Sequence, residues 1–176
     1  MKQIGKNCAV CLVWLLISEI MCLVLAFSFA ILRPDWLRWL SMACGITAHI
    51  LLMGSCAQKI ADADAAEYRR SGLRIPRKKP VLLSLFVMLP QIILYLLLWL
   101  NAESSAMLNA FLLLNAPFIQ LHRLLIGGAE PFSAVPMLQQ ILMVLPALVT
   151  AAAWYSGYTL RYARSIAEIT PAVPRP

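Results

Sequence analysis

The sequence predicts an all-α, polytopic transmembrane helical bundle with four spans, a fifth being the alternative. Three observations carry this. Apolar residues make up 61% of the chain and charged residues 13%, about half the ~25% charged of a soluble domain. The mean hydropathy is +0.77. The charges also cluster, leaving long runs almost free of them. A chain of 176 residues has too small a single core to hide that much apolar surface from water.

The first apolar run is Cys8 to Leu32, 25 residues with one charge, Glu19. At ~1.5 Å per residue it exceeds a ~30 Å hydrocarbon layer. Ser28-x-Ala30 resembles a signal-peptidase site, but the run is too long for a signal peptide's apolar core and carries a central Glu, so it reads as an uncleaved span. Arg33-Pro34-Asp35 makes a tight turn into the second span, about 37–57, flanked by Trp36, Arg38 and Trp39, with His49 as the ionisable group further in.

Ala57 to Arg70 lacks Gly and Pro, so the second helix should continue into water and stop at Ser71-Gly72. Arg74 to Pro80 is a stiff basic connector, with Pro80 suited to the first turn of the next helix. The third span, about 81–100, is free of charge and has Pro90 at its middle. Met107 to Ile126 is apolar but holds Asn109, Asn115, Pro117, Gln120, His122 and Arg123, and ends at Gly127-Gly128. The last span, about 136–158, has Pro146 at its middle and an aromatic belt of Trp154, Tyr155, Tyr158 and Tyr162. The tail, 170–176, is proline-rich and reads as extended and disordered.

Charge placement chooses between four and five spans. With four, twelve of the fifteen basic residues lie on one side, with both termini and the 58–80 loop. With five the division is ten to five. The positive-inside rule therefore favours four spans with cytoplasmic termini, and 107–126 as a re-entrant or interfacial segment. The same placement explains the net charge of +7 and excludes a nucleic-acid-binding face, since no basic groove with stacking aromatics is present.

Tyr68-Arg69-Arg70, Arg74-Ile75-Pro76-Arg77-Lys78-Lys79, Pro90, the Asn-x-Pro-Phe run Asn115–Phe118 and Gly157-Tyr158 occur together. The pattern resembles uncharacterised small four-span membrane proteins of Firmicutes-type bacteria. The middle loop departs from them in lacking an Arg-Asp-Arg-Asn run. The resemblance implies a bacterial inner (plasma) membrane location and the topology above, and no mechanism.

Glu19 is the strongest candidate site. A charge at mid-membrane costs at least ~2.5–3.5 kcal/mol, so it must be neutral, paired or cavity-facing. In a hairpin turning near Arg33-Pro34, positions equidistant from the turn share a depth, which sets Glu19 opposite His49. Ser41 and Gly45 form a small-x-x-x-small face that allows close approach. Glu19 and His49 are therefore expected to meet, as a structural pair or as a proton- or cation-handling site. Five cysteines, including Cys8-x-x-Cys11, read as packing groups, and Cys8, Cys11 and Cys56 share a depth but lack a fourth ligand for a metal. Pro90-Gln91 and Pro146, with Gln139-Gln140, place kinks that either line a cavity or are simply tolerated. Ala153-x-x-x-Gly157 is a second close-packing face.

Arg69, Arg70, Arg74, Arg77, Lys78 and Lys79 are expected to contact anionic lipid headgroups, at ~1 kcal/mol per residue near the surface. Asp62, Asp64 and Glu67 read as an ordinary charged face, and His122-Arg123 as a contact to headgroups or a partner. No catalytic, phosphate-loop or dinucleotide motif is present, and no cofactor or metal is expected. The leading functional expectation is an accessory or scaffold subunit of a membrane complex, through self-association or binding to other subunits. The alternative is a transport or channel component with its polar site at Glu19 and His49, and a membrane enzyme ranks third.

Reporter fusions test the topology. Fusions after Gly72 and after Arg164 are expected to be fluorescent as GFP and inactive as alkaline phosphatase, with the opposite result after Gly128. A fluorescent GFP fusion after Gly128 would instead mark a fifth crossing.

Overall fold

The computed structural model describes residues 2–30, 36–72, 76 and 78–169. The turn at 33–35, Arg74, Arg77 and the tail 170–176 lie outside the described residues. The described chain is helical without strands: α1 (Lys2–Ala30), α2 (Trp36–Ser71), α3 (Lys78–Leu100), α4 (Ser105–Leu113), α5 (Ile119–Ile126), α6 (Met137–Leu142) and α7 (Leu145–Ile169), with single 3-10 turns at Ala116–Phe118 and Phe132–Ala134. Four helices are long and apolar enough to cross a membrane: α1, α2, α3 and the α6–α7 stretch. The expected four-span helical bundle is the fold.

Local chemistry explains the boundaries. α2 runs 36 residues because nothing between Ala57 and Arg70 breaks it. It stops where Gly72, at φ +68°, turns its N–H back onto the Tyr68 carbonyl at 2.9 Å, a left-handed cap that favours glycine. Pro80 occupies the first turn of α3, where a missing N–H costs nothing. Ser104 caps α4 by accepting the Met107 N–H at 3.2 Å. α5 ends at Gly127, φ +61°.

The 107–126 region is a broken helix. α4 has 9 residues and α5 has 8, so at ~1.5 Å per residue neither could cross a ~30 Å layer. Pro117 causes the break: it cannot continue the α4 ladder and instead opens a 3-10 turn.

Two expectations about the last span change. It is not one helix kinked at its middle, because the chain breaks at Met143-Val144. There the Met143 N–H is shared between the Gln139 and Gln140 carbonyls, both at 3.2 Å. Pro146 then lies in the first turn of α7, the place where its ring is accommodated. The helix also runs past residue 158 to Ile169.

α2 packs on α7 and α1, and α3 packs on α7 and α1. Small residues allow this. A Cβ on Gly157 would come within 2.9 Å of the Gly54 carbonyl oxygen across the α2–α7 contact. A Cβ on Gly45 would reach the Pro117 carbonyl oxygen at 3.2 Å. Both small-residue faces are thus used inside the chain. One apolar core, around Met53, Cys56, Leu83 and Trp154, fills the end of the bundle that carries the start of α1 and the end of α7, here the terminal end. A second, around Leu98, Phe111, Phe132 and Met143, lies beneath the broken segment at the opposite end.

Gly157→Ala must push backbone against backbone, and is expected to lower stability by about 1–3 kcal/mol. Gly54→Ala, whose Cβ meets nothing, is expected to be neutral or to gain up to ~1 kcal/mol of helix propensity. Thermal unfolding in mild detergent distinguishes the two.

Candidate functional site: a buried polar core shared by all four spans

Each spanning stretch contributes one side chain to a hydrogen-bonded string at the centre of the bundle. Ser18 of α1 lies 2.7 Å from His49 Nδ1 of α2. His49 Nε2 lies 2.8 Å from Thr150 Oγ1 of α7. Thr150 Oγ1 lies 3.1 Å from Gln91 Oε1 of α3 and 3.0 Å from the Pro146 carbonyl. Ser18, His49 and Thr150 are fully buried and Gln91 is 4% exposed.

The partners define the tautomer. Gln91 Oε1 and the Pro146 carbonyl can only accept, so the Thr150 proton is directed to them. Thr150 Oγ1 then accepts from His49 Nε2–H, and His49 Nδ1 accepts from the Ser18 hydroxyl. Both imidazole nitrogens are engaged.

Glu19 lies beside the string but is not part of it. Its Oε2 accepts the Ala116 N–H at 3.0 Å. That N–H opens the 3-10 turn after α4 and has no partner within a helix. In a lipid-embedded bundle such a group costs several kcal/mol if left unmet. The Gln91 amide faces the same carboxyl, while its Nε2 remains outside hydrogen-bonding geometry.

The expected Glu19–His49 contact is therefore corrected. The depth is right, but the residue that meets the ring is Ser18. His49 points between α1 and α7, into a space that fits a short hydroxyl. One residue further on is ~100° around the helix, which turns Glu19 towards the broken segment instead. Phe118 completes the cover, its ring edge-on to His49 at 5.3 Å and 73°.

Other expectations change as well. His122 does not face headgroups or a partner: it is fully buried, 4.9 Å from the Phe111 ring, with neither nitrogen hydrogen-bonded. Arg123 beside it is exposed. Lys79 is not available to lipid. It is 6% exposed and lies 2.6 Å from Asp64, itself 1% exposed. Tyr158 donates to the other Asp64 oxygen at 2.7 Å. Asp64 is thus no solvated charge but the centre of a clamp joining α2, α3 and α7, backed by Arg161 on Asp62 at 2.7 Å. Arg69, Arg70 and Lys78 are exposed. Among the described residues no three His, Cys, Asp or Glu side chains come together as a metal site.

Ser18 and Thr150 carry no mark of a site in the sequence, whereas Gln91 stands beside Pro90. The usable signal is that helix proline.

No protein family matches this chain, and neither does any curated protein or solved structure.

Lys79→Met leaves Asp64 buried without its counter-charge and is expected to cost about 3–5 kcal/mol, whereas Lys78→Met on the exposed face should stay within about 0.5 kcal/mol. Thr150→Val removes the partner of both His49 and Gln91 and is expected to cost about 1–3 kcal/mol. Chemical or thermal unfolding in detergent measures all three.

Proposed function

We propose that the chain is a multi-pass protein of a bacterial plasma membrane, with both termini in the cytoplasm, and that it works as a transport or channel component handling protons at Glu19. The observation that carries this reading is the Glu19 carboxyl, placed near the middle of α1 on the backbone N–H of a broken helix. An intramembrane carboxyl next to an interrupted helix is a costly arrangement, and helices of that kind line ion and substrate paths. The Ala116 N–H gives the carboxyl one fixed partner. Proton release leaves a carboxylate, to which the Ala116 N–H is already directed.

The scaffold reading is weaker for a specific reason. It rests on the lack of a catalytic motif, on minimal loops and on two small-residue faces, and of these the faces are occupied by Gly54 and by Pro117 of the same chain. Arg69, Arg70 and Lys78, exposed at the terminal end, would rest against anionic headgroups on the cytoplasmic side.

The test is proton flux in liposomes holding a pH-sensitive dye, driven by a potassium diffusion potential. The purified protein is expected to acidify or alkalinise the lumen, and Glu19→Gln, which keeps the acceptor for Ala116, is expected to lose most of that flux while remaining folded. Wild-type flux in a folded Glu19→Gln protein overturns the proposal. A chain that carries no flux and purifies only within a larger complex returns the scaffold reading.

A further inference from the structure

Three stripes of buried side chains join the central string to the Asp64 clamp. On α2 the stripe runs from Asp64 to His49, on α3 from Lys79 to Gln91, and on α7 from Tyr158 to Thr150, recurring at helical spacing. Each stripe begins at a clamp residue and ends at a string residue. Between the ends lie Met53, Leu83, Val87 and Trp154, all 0% or 1% exposed and packed in one core. Beyond the clamp the interior ends: Arg161 and Asp62 are 42% and 44% exposed, whereas Lys79 and Asp64 are 6% and 1%. The clamp stands at the boundary between water and the buried interior.

Three features separate this region from an inert core. The Trp154 Nε1–H is buried without a hydrogen-bond partner, a costly state for a donor. Lys79 and Asp64 are charges held away from water at 2.6 Å, and the desolvation of a buried ion pair offsets most of its attraction. Trp154 is stacked on Tyr158 at 5.6 Å and 15°, and Tyr158 on Tyr162 at 5.8 Å and 14°, so a swing of the clamp tyrosine moves the indole with it. Entry of water would hydrate both charges and give the indole an acceptor, against the cost of wetting the apolar stripes. A dry apolar constriction beneath a polar latch is a construction by which pores close.

We propose that the Asp64–Lys79–Tyr158 clamp is the cytoplasmic gate of a water path to the central string, closed in this structure. When the clamp parts, a file of water along the three stripes links the cytoplasm to Thr150 and Gln91, with the Trp154 N–H donating to that file. The proposal rests on the Glu19 reading for what the path carries, and on the geometry of clamp, stripes and string for the gate itself.

The test uses the full-length protein in liposomes, a charged thiosulfonate reagent and mass spectrometry of each cysteine, followed by proton flux in the same vesicles. Cys56, 0% exposed in the core between clamp and string, reports the gate. Cys22, 1% exposed and donating to the Gly45 carbonyl at 3.4 Å, reports the far side of the string. Asp64→Asn combined with Lys79→Met removes both charges together, so neither is left buried alone. In that variant Cys56 labelling and Glu19-dependent flux are expected to rise about tenfold, equivalent to ~1.4 kcal/mol in the opening equilibrium, while Cys22 stays protected. Unchanged Cys56 labelling overturns the gate, whatever the flux. Equal gains at Cys56 and Cys22 also overturn it, since the whole bundle has then loosened. Selective labelling of Cys56 without flux in either protein supports the gate and removes the Glu19 reading.

Discussion

The structure depends on one constraint: inside a membrane-spanning bundle no water is available, so a polar group left without a partner in the chain is costly. The string Ser18–His49–Thr150–Gln91 meets this by taking one side chain from each spanning stretch. Two-helix contacts alone would leave His49 with one nitrogen unmet. Two hydroxyls from opposite sides satisfy both, which ties α1 to α7 through the α2 ring. Apolar packing brings spans together with little directional preference. A buried hydrogen-bonded string narrows the choice, because a rotation of any one helix orphans groups on two others.

The broken segment is tolerated for the same reason. Pro117 interrupts the ladder and releases backbone groups that lipid could not satisfy. Glu19 takes the Ala116 N–H, Asn115 donates to the Phe111 carbonyl, and Gly45 lets the turn approach α2 closely. The carboxyl that looks unaccountable along α1 is thus a bracket for a distant turn. At the terminal end, Asp64 does similar work in a more polar setting, where its two oxygens join Lys79 of α3 and Tyr158 of α7 to α2. The bundle is held by one polar junction at mid-depth and another near its terminal end, with apolar cores packed around them.

Much of this was legible along the chain. Long charge-poor runs leave a helix as the sole way to satisfy a backbone in lipid, so four spans could be read directly. Gly72 and Gly127 marked helix ends because a left-handed cap favours glycine. Ala57 to Arg70 announced a continuing helix by the absence of breakers. The depth of Glu19 and His49 followed from the hairpin. The rotation of each helix did not. The first span is apolar nearly all round, so its sequence shows no preferred face, and the difference between Ser18 and Glu19 meeting His49 is a single residue.

Sequence by itself determined which segments are long and apolar enough to cross and where the first three of them lie, because these follow from local hydropathy and backbone chemistry. Only the tertiary structure decided the partners. Thr150 and Gln91 reach one another because α7 and α3 pack together. Lys79 is withdrawn from the surface because Asp64 lies opposite it. His122 is buried because α5 packs on α2, α4 and α6. Each of these contacts joins residues whose relation depends on helix rotation and packing between elements, and such information belongs to several segments at once and to no one of them alone.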